Sequence, residues 1–544
     1  MKKFLPAAGL VVALASATLF ATKTWSWVLH FDPGFAVTHQ AVPTGAPLSS
    51  GVTILLVDGL RLDGSKTMPA LNALRARGAS IDAVVGTPSF SRPGRATIAV
   101  GAPPAIHGVT TNRQKRAISL DNLIRRVGEA GGTCRVAGSK IWSGLFAADI
   151  ARCGVYQQGE NKEGPGMFVH QVPSIRVTQE KGIAFVLEQP AMLRIADIIS
   201  TDFAAHEYGG ASSEYLAELQ RVDALIAALV TRLDFLRETL VVTSDHGHRD
   251  MGGHGGEEAE VLAIPIVMAG AGVRPSTSVK ALQADLAPTL AALLGLSLPT
   301  ASSGHVLAEV LVADDAKLAV IKGASALQEQ AFDKAITGRI GLEAAAGGPA
   351  WPDLMSKLRD DMRGTRRIIA ALLMALSVGF LVVALKLAGP DPLGLFAGIA
   401  FMALVLVLGV GARIPAMSFS AINYDELLIP FFVRILVLAS VTALSGIVPA
   451  LLVGHFVSKV KPSPIGAAGA VGLIATTILA VPLLVSWARN LLLDPVLLPG
   501  PDAMVAAFAF TLSIISVCLT TLIVIVVLLA IERRGSQPEF QNLA

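Results

Sequence analysis

Five apolar stretches without a charged residue follow one another near the end of this chain, over 368–385, 393–412, 435–454, 462–488 and 503–531. Each is long enough for a helix that crosses a bilayer, which needs about 20 residues. One such stretch would pass for a helix buried in a globular core. Five in succession point to an all-α, multi-pass membrane domain over 366–534. Composition agrees: charged residues make up 16% of the chain, where soluble proteins carry about a quarter. The net charge of +3 is spread along the sequence. No basic stripe with interleaved aromatics gives a footing for nucleic-acid binding.

The amino terminus adds another apolar stretch, over 4–22, after Met1-Lys2-Lys3. It reads as a signal anchor or a cleaved signal peptide. Its length favours an anchor over 1–25, while Ala15-Ser16-Ala17 keeps a small-residue cleavage site in view. With Lys2 and Lys3 in the cytoplasm, the spans place Lys386, Lys459, Lys461, Arg533 and Arg534 inside. Arg413, Asp425, Glu426, Arg489, Asp494 and Asp502 then fall outside. This asymmetry obeys the positive-inside rule. Arg363, Arg366 and Arg367 are the exception, beside a large domain where the rule is weak. The expected location is the cytoplasmic (inner) membrane, with residues 49–345 on the extracytoplasmic, periplasmic side.

Residues 49–345 read as an α/β domain. Short β-rich runs at 52–57, 192–196 and 240–243 alternate with helical patterns such as 216–233. That alternation predicts a mostly parallel sheet with helices on both faces. The Ala- and Gly-rich segment 302–349 reads as a helical linker. Cys134 and Cys153 fall in this domain and Cys518 in a membrane stretch. An oxidising compartment would let Cys134 and Cys153 form a disulfide, though their spacing equally allows two buried thiols.

Four clusters carry candidate chemistry. Asp58 ends an apolar strand and precedes Gly59, a place for a metal ligand or for an ordinary turn. Ser91 sits in Thr87-Pro-Ser-Phe-Ser-Arg-Pro-Gly-Arg-Ala-Thr97, a loop able to hold a hydroxyl in a fixed pose or simply a Ser/Pro-rich connection. Asp202 and His206, four apart, would face the same way on a helix. The most specific cluster is Ser244-Asp245-His246-Gly247-His248, followed by Gly252-Gly-His254-Gly-Gly256. Three aspartates and three histidines are enough ligands for two divalent ions, and mixed oxygen and imidazole donors suit zinc. Two metals about 4 Å apart grip the entering and leaving oxygens of an in-line displacement and activate a serine.

In this order the clusters resemble the alkaline phosphatase superfamily over about residues 50–300. Val57-Asp-Gly-Leu60 and Thr243-Ser-Asp-His-Gly247 are similar to its type I phosphodiesterase/nucleotide pyrophosphatase branch. Ser91-Arg-Pro-Gly94, with the anchor, catalytic domain and multi-helix membrane part in sequence, looks most like the glycosylphosphatidylinositol ethanolamine phosphate transferases. The resemblance implies an alkaline-phosphatase-like fold and Ser91 as nucleophile. It implies Asp202, His206 and His254 on one metal, and Asp58, Ser91, Asp245 and His246 on the other. It further implies a phospholipid donor and a lipid or glycolipid acceptor, with release of the group to water as the alternative. Gly94 stands where the nucleotide-hydrolysing branch has a phosphate-binding Asn.

Ser91-Arg-Pro-Gly-Arg95 also fits a serine-type sulfatase. That reading lacks the usual pair of adjacent aspartates at Asp58-Gly59 and leaves His206 and His254 unexplained. A catalytically dead receptor would not be expected to keep the full ligand set. A transporter would be expected to carry more ionisable residues within its helices.

Overall fold

The computed structural model describes residues 4–34, 43–114, 116–158, 167–339, 351–411, 419–422, 425–457, 463–490, 492–493 and 498–535. Of the orientation markers, Lys2, Lys3, Arg413, Lys459, Lys461 and Asp494 lie outside the described residues.

Eight strands form one sheet: β1 (Gly51–Val57), β2 (Ala79–Val84), β3 (Cys134–Gly138), β4 (Gly154–Gln157), β5 (Leu193–Ile198), β6 (Glu238–Thr243), β7 (Ala263–Gly270) and β8 (Thr277–Leu282). Their order is β4-β3-β5-β1-β6-β7-β2-β8. β7 runs antiparallel to both of its neighbours; the other pairings are parallel. The sheet is thus mixed, with the parallel sense dominant. The three β-rich runs evident in the sequence are β1, β5 and β6, and β1 lies between the other two.

β1 is unbroken in its hydrophobicity because it is buried on both sides. Val52, Ile54 and Leu56 face one apolar cluster, while Leu55 and Val57 face another. β4 and β8, at the two edges, alternate between half-buried and exposed positions instead. Helices on the two faces include α2 (Ser91–Val100), α3 (Ser200–Tyr208) and α4 (Ser213–Val230). α4 starts where Ser212 caps the amide of Tyr215. It buries Leu219, Val222, Ile226 and Leu229, the i, i+3, i+4 stripe of a helix on a sheet. Cys134 and Cys153 are joined in a disulfide across a sequence separation of 19.

The apolar stretches are helical. α1 spans Leu5–Leu29, and the later helices are α5 (Trp351–Ala388), α6 (Pro392–Gly411), α7 (Phe419–Ile422), α8 (Asp425–Phe456), α9 (Pro464–Asn490) and α10 (Pro501–Gly535). Parts of five are long and apolar enough to cross a membrane: 5–29, 362–386, 431–456, 464–490 and 501–534. In α6 the described apolar portion, Pro392–Val405, is shorter. The chain is therefore a multi-pass membrane protein. Small residues let the helices approach closely: a Cβ on Gly472 would come within 2.4 Å of Thr521, and one on Gly469 within 3.0 Å of Pro6. The segment 302–349 is a helix over Asp315–Arg339, and residues 340–350 are outside the described set.

Candidate active site

Parallel strands deliver their carboxyl ends to one edge of a sheet, where loops can converge. Asp58 follows β1, Asp202 and His206 lie on α3 after β5, and Asp245 and His246 follow β6. Because β5, β1 and β6 are adjacent, these groups meet. Ser91 opens α2, and its Oγ lies 3.1 Å from His246 Nε2. Ser91, Asp58, Asp202, Asp245, His246 and His254 are all buried.

Two groups of ligand atoms result. In one, His246 Nε2 lies 3.4 Å from Asp58 Oδ1 and 3.8 Å from Asp245 Oδ2. In the other, Asp202 Oδ1 lies 3.5 Å from His206 Nε2 and 3.7 Å from His254 Nε2. The His206 and His254 Nε2 atoms are 3.0 Å apart. The groups adjoin through the stacked rings of His246 and His254, whose centroids are 3.7 Å apart and inclined by 12°. All seven residues singled out in the sequence are thus brought together.

The chemistry of these donors fits divalent cations. His254 Nδ1 donates to Ser89 O at 3.1 Å, and His246 Nδ1 to Gly247 O at 3.1 Å. Each ring therefore turns an Nε2 lone pair into the cluster. Burial, followed by neighbouring imidazoles, holds His254 and His248 well below the ordinary histidine range, so both are neutral and His254 is able to ligate. Asp58 Oδ1 is buried with no hydrogen-bond partner, an acceptor that a metal would satisfy.

Charge points the same way. Arg95, one turn after Ser91, is fully buried. It donates to Asp58 Oδ2 at 2.8 Å, Asp245 Oδ2 at 2.5 Å and Asp197 Oδ2 at 3.3 Å. One guanidinium thus faces three buried carboxylates, and the excess negative charge calls for more cation. Burial works to raise the Asp58 carboxyl, but Arg95 and His246 outweigh it and hold it below its ordinary value. Burial, together with the Asp58 charge, pushes Asp245 up to about 6.

Several residues here are not evident from sequence. His248 Nε2 donates to Asp202 Oδ1 at 2.7 Å and so orients a ligand. Its alternating place in Asp245-His-Gly-His248 is the available signal. Asp197 is held by the Trp142 indole at 2.9 Å. Asn112 accepts from the Arg92 amide at 2.8 Å, which sets a side-chain amide beside Ser91. Gly94 has its back against the Asp245 loop: a Cβ there would meet Asp245 O at 2.6 Å. That close approach leaves no room for a side chain at this position.

Residues 52–262 match the type I phosphodiesterase/nucleotide pyrophosphatase family. The chain is similar to human GPI ethanolamine phosphate transferase 3, catalytic subunit, with 31% identity over 39% of this chain and 19% of that protein. Human GPI ethanolamine phosphate transferase 2, catalytic subunit, is 27% identical over 52% of this chain and 30% of that protein. The chain thus spans less than a third of the length of these relatives. Among solved structures, murine ectonucleotide pyrophosphatase/phosphodiesterase 5 aligns with a TM-score of 0.38 at 15% identity, over 46% of this chain and 96% of that one.

Proposed function

We propose, starting from a type I phosphodiesterase/nucleotide pyrophosphatase domain of the alkaline phosphatase superfamily at residues 52–262, that this chain is a membrane-bound phosphoryl-transfer enzyme acting on phosphodiesters. The observation that carries this is Ser91 Oγ, 3.1 Å from His246 Nε2, at the junction of two buried Asp/His groups.

Two divalent ions, zinc by donor type, would be held by Asp202, His206 and His254 and by Asp58, Ser91, Asp245 and His246; they would acidify the serine hydroxyl and offset charge on the phosphoryl oxygens. The remaining work belongs to the chain. Ser91 stands at the first position of a ten-residue helix, whose positive end favours an anionic oxygen. Arg95 fixes Asp58 and Asp245 relative to Ser91. Ser91 gives up its proton as Oγ attacks phosphorus, one ester oxygen departs and is protonated to the free alcohol, and Ser91 is left joined through phosphate to the group being transferred. An acceptor hydroxyl then attacks that phosphorus, takes over the phosphate-linked group and returns a proton to Ser91 Oγ. We take the donor to be a phospholipid and the acceptor a lipid or glycolipid hydroxyl, by likeness to the transferases and because the domain is joined to membrane helices. The reading places the enzyme in the cytoplasmic membrane with its α/β domain outside.

The test is metal content and bis-p-nitrophenyl phosphate turnover of the purified chain. About two ions per chain are expected, with turnover lost to chelator and restored by zinc. Ser91→Ala should lower turnover at least about 10³-fold while leaving metal content and melting intact. Activity retained in that variant would remove Ser91 from its role. Product analysis with phosphatidylethanolamine vesicles then separates transfer from hydrolysis: modified lipid marks a transferase, free phosphoethanolamine a phosphodiesterase.

A further inference from the structure

α7 lies between two membrane helices in the sequence, yet its first two residues stand against the catalytic loops. The Phe419 ring meets the Phe90 ring at 5.4 Å and 76°. Phe90 immediately precedes Ser91, and its ring also meets that of His254, at 5.8 Å and 78°. Both phenyl rings close over Gly255, where a Cβ would come within 2.7 Å of Phe90 and 3.1 Å of Phe419.

Two polar anchors hold α7 there. Ser420 is fully buried; its Oγ accepts from the Gly256 amide at 2.8 Å and donates to Glu258 at 2.6 Å. On the membrane side, the Phe419 amide donates to Asp502 at 2.6 Å, in the first turn of α10. A chain of contacts therefore runs from a membrane helix through Phe419 to the residue before Ser91.

A phosphodiester carried by a phospholipid stays covalently tied to acyl chains in the bilayer. α7 bridges the membrane helix α10 and the residue before Ser91 through these contacts, and so lies beside a route from the bilayer to Ser91. A phenyl ring offers that passing lipid a large apolar contact. A soluble diester comes with no such tail and gains nothing from the ring. We propose that Phe419 is a specificity-determining residue of the reaction pocket, selecting lipid-borne over soluble phosphodiesters, with Ser420 and Asp502 holding it in place. This rests on the phosphodiester reading of Ser91.

The experiment compares the full chain with Phe419→Ala, Phe419→Leu and Ser420→Ala, on phosphatidylethanolamine in nanodiscs and on bis-p-nitrophenyl phosphate. Phe419→Ala is expected to lose about tenfold more kcat/KM on the lipid than on the soluble diester, chiefly through KM. Phe419→Leu, which keeps apolar bulk and guards against a folding defect, should lose less. Ser420→Ala should share the selective loss by releasing the ring. Equal losses on both substrates would make α7 a structural prop, and no loss on either would remove it from the pocket; both overturn the proposal. Ser91-dependent cleavage of the soluble diester without lipid cleavage in the parent chain would overturn it too and leave the phosphodiester reading standing. Cleavage of neither would bring down both.

Discussion

Arg95 and Asp58 form a buried ion pair at 2.8 Å, and the same guanidinium reaches Asp245 and Asp197. Arg95 lies one turn after Ser91 on the same helix, and its guanidinium faces Asp58 and Asp245, candidate ligands of the same metal group as Ser91. It donates to both of their carboxylates, Asp58 Oδ2 and Asp245 Oδ2, and so offsets two buried charges at once. A buried pair of this kind is strongly destabilising to break, because the partner left behind keeps its charge. Arg95→Met is expected to cost about 3–5 kcal/mol on that ground, seen as a large fall in the melting temperature of the detergent-solubilised chain, together with loss of metal. A wild-type melt would show that the carboxylates find other partners.

His248 is expected to matter for metal affinity more than for stability. It holds Asp202 by one hydrogen bond of 2.7 Å without being needed to complete the expected ligand set. His248→Ala should weaken metal binding about 10–100-fold, the usual cost of losing such support. Chelator-competition titration measures this directly. Unchanged affinity would mean that Asp202 is oriented by other contacts.

His107 predicts a pH dependence. It is buried, with Nδ1 accepting from the Val109 amide at 3.0 Å and Nε2 donating to Thr97 on α2 at 3.2 Å. Burial lowers its pKa from 6.5 to about 3. The folded state therefore favours the neutral ring, and the unfolded chain binds the extra proton. The stabilisation is fully present above pH 6.5 and is lost as pH falls toward about 3. Well below the upper limit the loss is about 1.4 kcal/mol per pH unit. Melting temperature followed against pH should fall less steeply in His107→Gln than in the parent. Ligand protonation is common to both and cancels in the comparison, so parallel curves would count against it.

The disulfide should stabilise the α/β domain. It closes a loop over a sequence separation of 19, for which loop-entropy arguments give about 3 kcal/mol. Paired Cys134→Ser and Cys153→Ser is expected to lower the melting temperature, with Ser91-dependent turnover retained at low temperature. Alkylation of the unreduced, denatured chain should label one thiol, Cys518. Three labelled thiols would show the bond does not form in the native compartment.

Local chemistry makes much of this legible along the chain itself. A membrane helix announces itself by length and lack of charge, since no other residues satisfy hydrocarbon. Asp245, His246 and His254 stand out because two acceptor types leave one strand into a Gly-rich loop. β1, β5 and β6 are readable because strands buried on both faces must be continuously apolar. β4 and β8, exposed at the edges, carry a weaker pattern. The α4 helix lies within a few residues of its expected place, Ser213–Val230 against 216–233, its earlier start set by the cap at Ser212.

What the sequence determined by itself, then, is the set of groups that individually demand a particular setting: apolar spans, doubly buried strands, and ligands clustered along the chain. What only the tertiary structure decided is which distant residues face one another. Arg95 reads as one more basic residue in a polar loop until Asp58, Asp197 and Asp245 close around it from three strand ends. That the Asp245 loop packs against Gly94 and excludes a side chain there is visible only in space. Phe419 reads as an apolar residue between membrane spans until its ring lies on Phe90. Burial, charge balance and close packing are properties of neighbours in space, and those neighbours are fixed by sheet order and helix packing.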